Sequence, residues 1–396
     1  MICDVLYLVT TNMETFSVNS LEPSRYFTKQ VYLDDNYILL SPETEVTSDL
    51  VNRLKRWGFR TVLSEGEYVD KPTTADDSGD QISLSIDEDI KESERFEEAQ
   101  RFYGELLGFV ERMFTTFVTK NELNERAIGD VVKRTTQTIR THRQYILRLT
   151  EMEAQDKNYI VDHACKTTIL AAAVGMTVKL PPHRLIELGT AALCHEIGMI
   201  RLPPQLYMGN KRLTAEERRA ITTHTVLGFK MLREHSFSNE VATAVLECRE
   251  HVDGTGYPQG LTGQRISLYA KIILVAASYA AIISQRPYRN PNDGHTAILE
   301  MLQQNGKRYD DQVLRAMIVT LSIYPIGTYV QLANGSRGMV VDTDSKNPRA
   351  PRVKVISDAN GEPFAEHPVV DTGASAEHAV ARALSADEFQ ATTTSA

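Results

Sequence analysis

Between residues 96 and 324 the apolar side chains recur at three- and four-residue intervals, a period that suits a helix and that a pleated strand cannot use. That long stretch confines the chain to a mainly helical architecture. Phe102, Leu106, Phe109, Val110, Met113, Phe114 and Phe117 form a stripe wide enough to pack on two neighbours. A second helix is predicted over residues 123–149 from Ile128, Val132, Ile139, Ile146 and Leu149. The apolar runs at residues 169–178 and 270–283 are too short to span a bilayer and read as buried helices. Helix punctuation is explicit: Pro181 and Pro182 open one helix, Thr214 and Glu217 make a capping box, and Asn305-Gly306 closes another.

The flanks change texture. Residues 30–33 and 37–40 surround an Asp-Asp-Asn turn and predict a hairpin; Thr47 or Ser48 caps a helix with Leu50, Leu54 and Trp57 on one face, stopped at Gly58; residues 61–63 read as a strand. Residues 1–69 are therefore expected to be a small α+β regulatory module. Residues 70–94, acidic, serine-rich and almost free of aromatics, are expected to be a disordered linker. A helical pair over 95–150 leads into a bundle over 151–325. Short β runs around Asn334-Gly335 and Asn360-Gly361 predict a β extension over 326–375, with a disordered tail at 376–396.

Composition excludes several function classes. The net charge of −9, from 43 basic and 52 acidic residues, argues against general nucleic-acid or anionic-membrane binding. Cys3, Cys165, Cys194 and Cys248 show neither a CxxC pair nor a framework spacing, which suits a reducing compartment without disulfides. With no signal core and no membrane span, a cytoplasmic location is expected.

Chemistry concentrates in the helical stretch. His195 and Glu196 stand side by side at a helix end before Gly198, an arrangement that can hold a divalent cation, because a buried carboxylate needs a cation or several donors. Further on, Glu250, Asp253, Gly254, Gly256, Tyr257 and Pro258 are followed by Gly260, Gly263 and then Arg286-Pro-Tyr-Arg289. With Tyr159 and His163, the segment from Ala192 to Gly198, and the segment from Leu213 to His224, these motifs resemble, in order and spacing, the HD-GYP family. The resemblance implies a helical bundle holding two or three iron or manganese ions, which activate a water against a phosphodiester of cyclic di-GMP to give pGpG or GMP.

Carried over position by position, the resemblance puts His163, His195 and His224 at ligand histidines. Glu196 stands for an aspartate, Met199 for a phosphate-approaching lysine, Cys248 and Arg249 for paired histidines, and Ala277 for the last ligand aspartate. Tyr159 suits a two-metal variant. Arg249 adds a fixed cation beside the second ion's place, so a full bimetallic site is not expected. A single ion on His163, His195, Glu196, His224 and Cys248 is the reduced alternative, the thiolate favouring zinc over iron or manganese. Arg249, Tyr257, Arg286 and Arg289 are candidate nucleotide contacts, guanidinium being suited to phosphate and guanine. The loop at residues 254–258 is, by the same resemblance, a docking point for a signalling partner such as a diguanylate cyclase. Binding without hydrolysis is the expected function, with an active phosphodiesterase as the alternative.

Overall fold

The computed structural model describes residues 14–29, 31–32, 38–40, 46–56, 60–64, 66–70, 79–152, 159–203, 206–207, 213–284, 292–344, 346–364, 366–385 and 388–389. It is mainly helical with small sheets towards both ends, and it divides into two compact units, residues 1–90 and 91–396.

The first unit is α+β, as its sequence predicts. Strands β1 (Glu14–Ser17), β2 (Tyr26–Phe27), β3 (Val31–Tyr32) and β4 (Ile38–Leu40) precede helix α1 (Ser48–Arg56), then β5 (Thr61–Ser64) and β6 (Tyr68–Val69). An antiparallel sheet runs in the order β1-β5-β3-β4, and β2 pairs with β6. The predicted hairpin is the β3–β4 pair. Helix α1 begins at Ser48, where a cap was expected, and buries Val51 and Leu54 against Val18, Leu21, Phe27, Val31, Val46 and Val62. Trp57 and Gly58 lie outside the described residues.

The second unit is a helical bundle carrying a C-terminal sheet. Its helices are α2 (Gly79–Lys120), which starts within the first unit's residue range, α3 (Glu125–Thr141), α4 (Arg143–Glu151), α5 (Tyr159–Thr177), α6 (Pro182–Cys194), α7 (Ala215–Thr222), α8 (His224–Glu234), α9 (Asn239–Glu247), α10 (Leu268–Ile283), α11 (Gly294–Leu302) and α12 (Asp311–Leu321). Helix α5 is apolar on nearly all sides and buried from Ile160 to Gly175, so it must be wrapped by others; α6 and α10 pack along it. The two apolar runs of the sequence are thus α5 and α10, both core. Pro181 and Pro182 do start α6, and Thr214 with Glu217 forms the full capping box of α7.

Three sequence expectations are corrected here. Residues 79–94, assigned to a disordered linker, are helical, the first turns of α2. Ile82, Ile86 and Ile90 recur at four-residue spacing there, and a helix already nucleated further on extends cheaply into a polar segment. Second, the helix predicted over 123–149 breaks at His142, whose backbone (φ −132°, ψ 38°) leaves the helical region. The threonines before it, Thr135, Thr138 and Thr141, donate their hydroxyls back to the carbonyls four residues earlier, which weakens a helix locally. Third, the tail at 376–396 contains a strand. The final sheet comprises β7 (Tyr329–Leu332), β8 (Arg337–Asp342), β9 (Arg352–Ser357), β10 (Val369–Asp371) and β11 (Val380–Leu384), in the order β10-β9-β8-β7-β11. Pairing of β11 with β7 covers an edge that the β extension ending at 375 would have left bare.

Candidate functional site

The site is assembled where four helices end or begin. His163 projects from the first turns of α5. His195 and Glu196 follow the last turn of α6, His224 opens α8, and Cys248 and Arg249 follow α9. One glycine makes this possible. A Cβ at Gly198 would lie 1.9 Å from the carbonyl oxygen of His224, so only glycine lets the turn after Glu196 touch the start of α8. That contact brings Glu196 to His224.

Glu196 is the hub. Its Oε1 lies 3.9 Å from Nε2 of His163 and 3.5 Å from Nε2 of His195, and its Oε2 lies 3.7 Å from Nε2 of His224. The Arg249 guanidinium donates directly to Oε1. All four of these partners and the hub itself are buried or nearly so; Arg249 keeps 17% of its side chain exposed.

The histidines are oriented by the backbone. His195 Nδ1 donates to the Ala192 carbonyl at 2.7 Å, and His224 Nδ1 donates to the Ile221 carbonyl at 2.6 Å. Each Nε2 lone pair is therefore left facing the Glu196 carboxylate. Burial holds His195 neutral, its pKa lowered to about 4, and lowers that of His224 as well. Burial alone would raise the Glu196 pKa; the Arg249 guanidinium outweighs it and holds the carboxyl well below the usual carboxylate range. Burial would lower the Arg249 pKa, but Glu196 holds it above its ordinary value. Nitrogen lone pairs aimed at an ionised carboxylate repel it unless a cation lies between them. The pocket is built for positive charge, and Arg249 brings some of it.

The donor set could hold a metal ion. His163, His195 and Glu196 offer ligand atoms within 4.8 Å of one another, and among the described residues Nε2 of His195 and Oε2 of Glu196 have no hydrogen-bond partner although both are buried. Ala277, on α10, is fully buried. Cys248 does not join the cluster. Its thiol donates to the Val245 carbonyl at 3.2 Å, and burial pushes its pKa up to about 12.

The glycine-rich loop closes the pocket. Glu250, almost fully buried, accepts the backbone N–H groups of Gln259 (2.6 Å) and Leu261 (2.9 Å). Asp253 accepts from the backbone and hydroxyl of Thr255. A Cβ at Gly256 would fall 2.5 Å from the Arg249 carbonyl oxygen, so glycine permits the loop to fold onto the strand of residues that bears Arg249. Tyr257 then donates its N–H to that carbonyl, and its half-buried ring stands edge-on to His224 with centroids 6.2 Å apart. Sequence reasoning anticipated a turn presenting Tyr257; the ring faces the histidine cluster. Arg286 and Arg289 lie outside the described residues.

Sequence reasoning passed over a second polar group. Asp162 and Lys166, one turn apart on α5, form a buried ion pair at 3.1 Å. Tyr103 of α2 donates to the same aspartate at 2.9 Å, and Lys166 donates to Ser284 at the end of α10. The signal was present: two opposite charges four residues apart inside an otherwise apolar helix.

Comparisons with known proteins bear on the family. The model of the HD domain family matches residues 148–313, and that of a KOW domain associated with HD domains matches residues 329–392, past the expected end of the β extension. A cyclic di-GMP phosphodiesterase of Borreliella burgdorferi is 32% identical over 199 residues, covering 50% of this chain and 52% of that protein. A cyclic di-GMP phosphodiesterase of Pseudomonas aeruginosa is 32% identical over 246 residues, covering 62% of this chain and 59% of that protein. The chain thus spans about half to three fifths of the length of these relatives. Among solved structures, an HDG"Y"P protein of Bdellovibrio bacteriovorus aligns with a TM-score of 0.48 and 16% identity over 77% of this chain and 98% of that one. Among the described residues no helix is long and apolar enough to cross a membrane. Residues 148–313 match an HD domain, and the ordered motifs and the sequence relatives support an HD-GYP family member.

Proposed function

We propose that this chain is an HD-GYP protein of cyclic di-GMP signalling that binds the nucleotide and hydrolyses it weakly or not at all. The observation that carries the reading is the Arg249 guanidinium seated on Glu196, amid the candidate ligand histidines. Within about 4 Å, at an effective dielectric near 20, each further unit of positive charge meets a repulsion of about 4 kcal/mol. A second divalent ion is opposed accordingly, and Ala277 offers it no ligand. An ion held by His163, His195 and Glu196 would supply a Lewis acid that lowers the pKa of a bound water. Without a second cation the charge growing on the phosphoryl oxygens is left to Arg249, a fixed donor better suited to holding phosphate than to activating water.

Tyr257, edge-on to His224, forms one side of the pocket, and Arg286 and Arg289 are assigned by family resemblance to phosphate or guanine. The loop at residues 254–258 is proposed to dock a signalling partner, residues 1–69 to receive the input, and the site of action to be the cytoplasm. Calorimetry with cyclic di-GMP tests the binding half: saturable heat supports it, and no heat in the presence of manganese overturns it.

The runner-up is a phosphodiesterase working with a single ion, which the three-residue cluster favours. Appearance of pGpG or GMP from cyclic di-GMP, abolished by His195→Ala, would establish it.

A further inference from the structure

We infer that Tyr103, Asp162 and Lys166 form a positioning chain that sets the rotation of α5, and through it the place of His163 in the site. The inference concerns regulation of the pocket proposed above to bind nucleotide, and it stands or falls on a separate observation.

Lys166 is 1% exposed and Asp162 9% exposed, deep in a helix whose other residues from Ile160 to Gly175 are also buried. Burying an ion pair costs several kcal/mol per ion, and well-packed apolar residues of equal volume are often as stable. Stability alone therefore does not account for the pair. What the pair has, and leucine would lack, is direction. Asp162 uses one oxygen for Tyr103 of α2 and the other for Lys166, and Lys166 reaches on to Ser284, the residue that ends α10. Three helices are tied by directional bonds through two consecutive turns of α5.

Asp162 is followed immediately by His163. The two side chains leave α5 about 100° apart, so one holds the helix while the other enters the site. A side-chain tip rides about 5–6 Å from the helix axis, so a 10° rotation of α5 moves it by about 1 Å. That displacement is enough to spoil a ligand or contact geometry. The Nε2 of His163 already stands 3.9 Å from Glu196, the longest of the three histidine approaches, and is the one a small rotation would make or break. Tyr103 belongs to α2, the helix that runs from Gly79 to Lys120, so any axial shift or turn of α2 is applied to Asp162 by a hydroxyl-to-carboxylate bond.

The test uses the full chain, labelled with ring-15N histidine, and reads the His163 imidazole resonances, assigned with His163→Gln. No nucleotide is present, so failure of cyclic di-GMP binding and failure of this inference are separate results. Tyr103→Phe removes only the hydroxyl and is expected to move the His163 resonances while leaving His183 and His295 unchanged. The double substitution Asp162→Leu with Lys166→Met is expected to keep or raise thermal stability yet to move His163 as well. As a control, Tyr145→Phe, at another buried tyrosine, is expected to leave His163 where it is. Unmoved His163 resonances in Tyr103→Phe and in the stable double variant would overturn the inference and leave the pair a packing element only. Should the double variant fail to fold, Tyr103→Phe decides alone.

Discussion

Arg249→His is the substitution that most sharply separates a pocket filled by its own cation from one that requires an added ion. In the native chain Glu196 is buried, holds an ionised carboxylate and takes its one directly bonded cation from Arg249. Removing that partner leaves a buried charge uncompensated, a loss of about 3–5 kcal/mol. For a unit of this size that corresponds to a melting temperature lower by roughly 5–8 °C in chelator. The new imidazole removes the fixed charge and adds a ligand nitrogen, so a second divalent ion no longer meets the opposing guanidinium. An ion at a thousand times its dissociation constant returns about 4 kcal/mol, nearly the whole deficit. The assay is thermal unfolding of both proteins with chelator and with manganese, with metal content measured alongside. Arg249→His should melt low in chelator and recover with manganese, taking up more metal per chain than the native protein does. If the variant melts with the native protein in chelator and ignores manganese, the Arg249–Glu196 pair is not the cation of this site.

Other expectations follow from neighbouring groups. Gly198→Ala puts a Cβ 1.9 Å from the His224 carbonyl, so it should cost more than about 3 kcal/mol and separate Glu196 from His224, read by denaturant titration and by His224 ring resonances. Glu250→Gln leaves one backbone N–H of the loop facing an amide donor; a loss of about 1–3 kcal/mol and faster amide exchange at Gln259 and Leu261 are expected. Burial raises the Glu151 pKa to about 7 from 4.5, against the lowering effect of its hydrogen bond from Tyr279. The folded chain therefore binds more protons than the unfolded one between those values. This contribution, roughly 3 kcal/mol, is present below pH 4.5 and is lost as pH rises through 7. Urea unfolding at pH 5 and pH 7.5 should show it, with the difference flattened in Glu151→Gln.

Much of this was readable in the sequence because the informative features are local. Period separates α5 and α10 from strands, Thr214 and Glu217 declare the start of α7, and Gly335 and Gly361, both at positive φ, mark the turns of the last sheet. The ring of His163, His195, His224 and Glu196 was legible only through ordered motifs, since no periodicity brings three helix ends together. The place of Cys248 in the motif says nothing about the Val245 carbonyl that accepts its S–H hydrogen bond. The acidic segment before residue 95 misled because a solvated composition is compatible with a helix once the following turns exist. The strand β11 was missed since its pairing with β7 is tertiary. The Tyr103–Asp162–Lys166 chain involves a partner 59 residues away, which pattern alone does not find.

The central claim is that Arg249 takes the place of a second metal ion, leaving a pocket that holds cyclic di-GMP without turning it over. It is tested most directly on protein reconstituted with manganese or iron and mixed with cyclic di-GMP, measuring metal per chain and nucleotide products in the same sample. The account predicts no more than one ion per chain, saturable binding and unchanged cyclic di-GMP. Two ions per chain together with steady release of pGpG or GMP would contradict it.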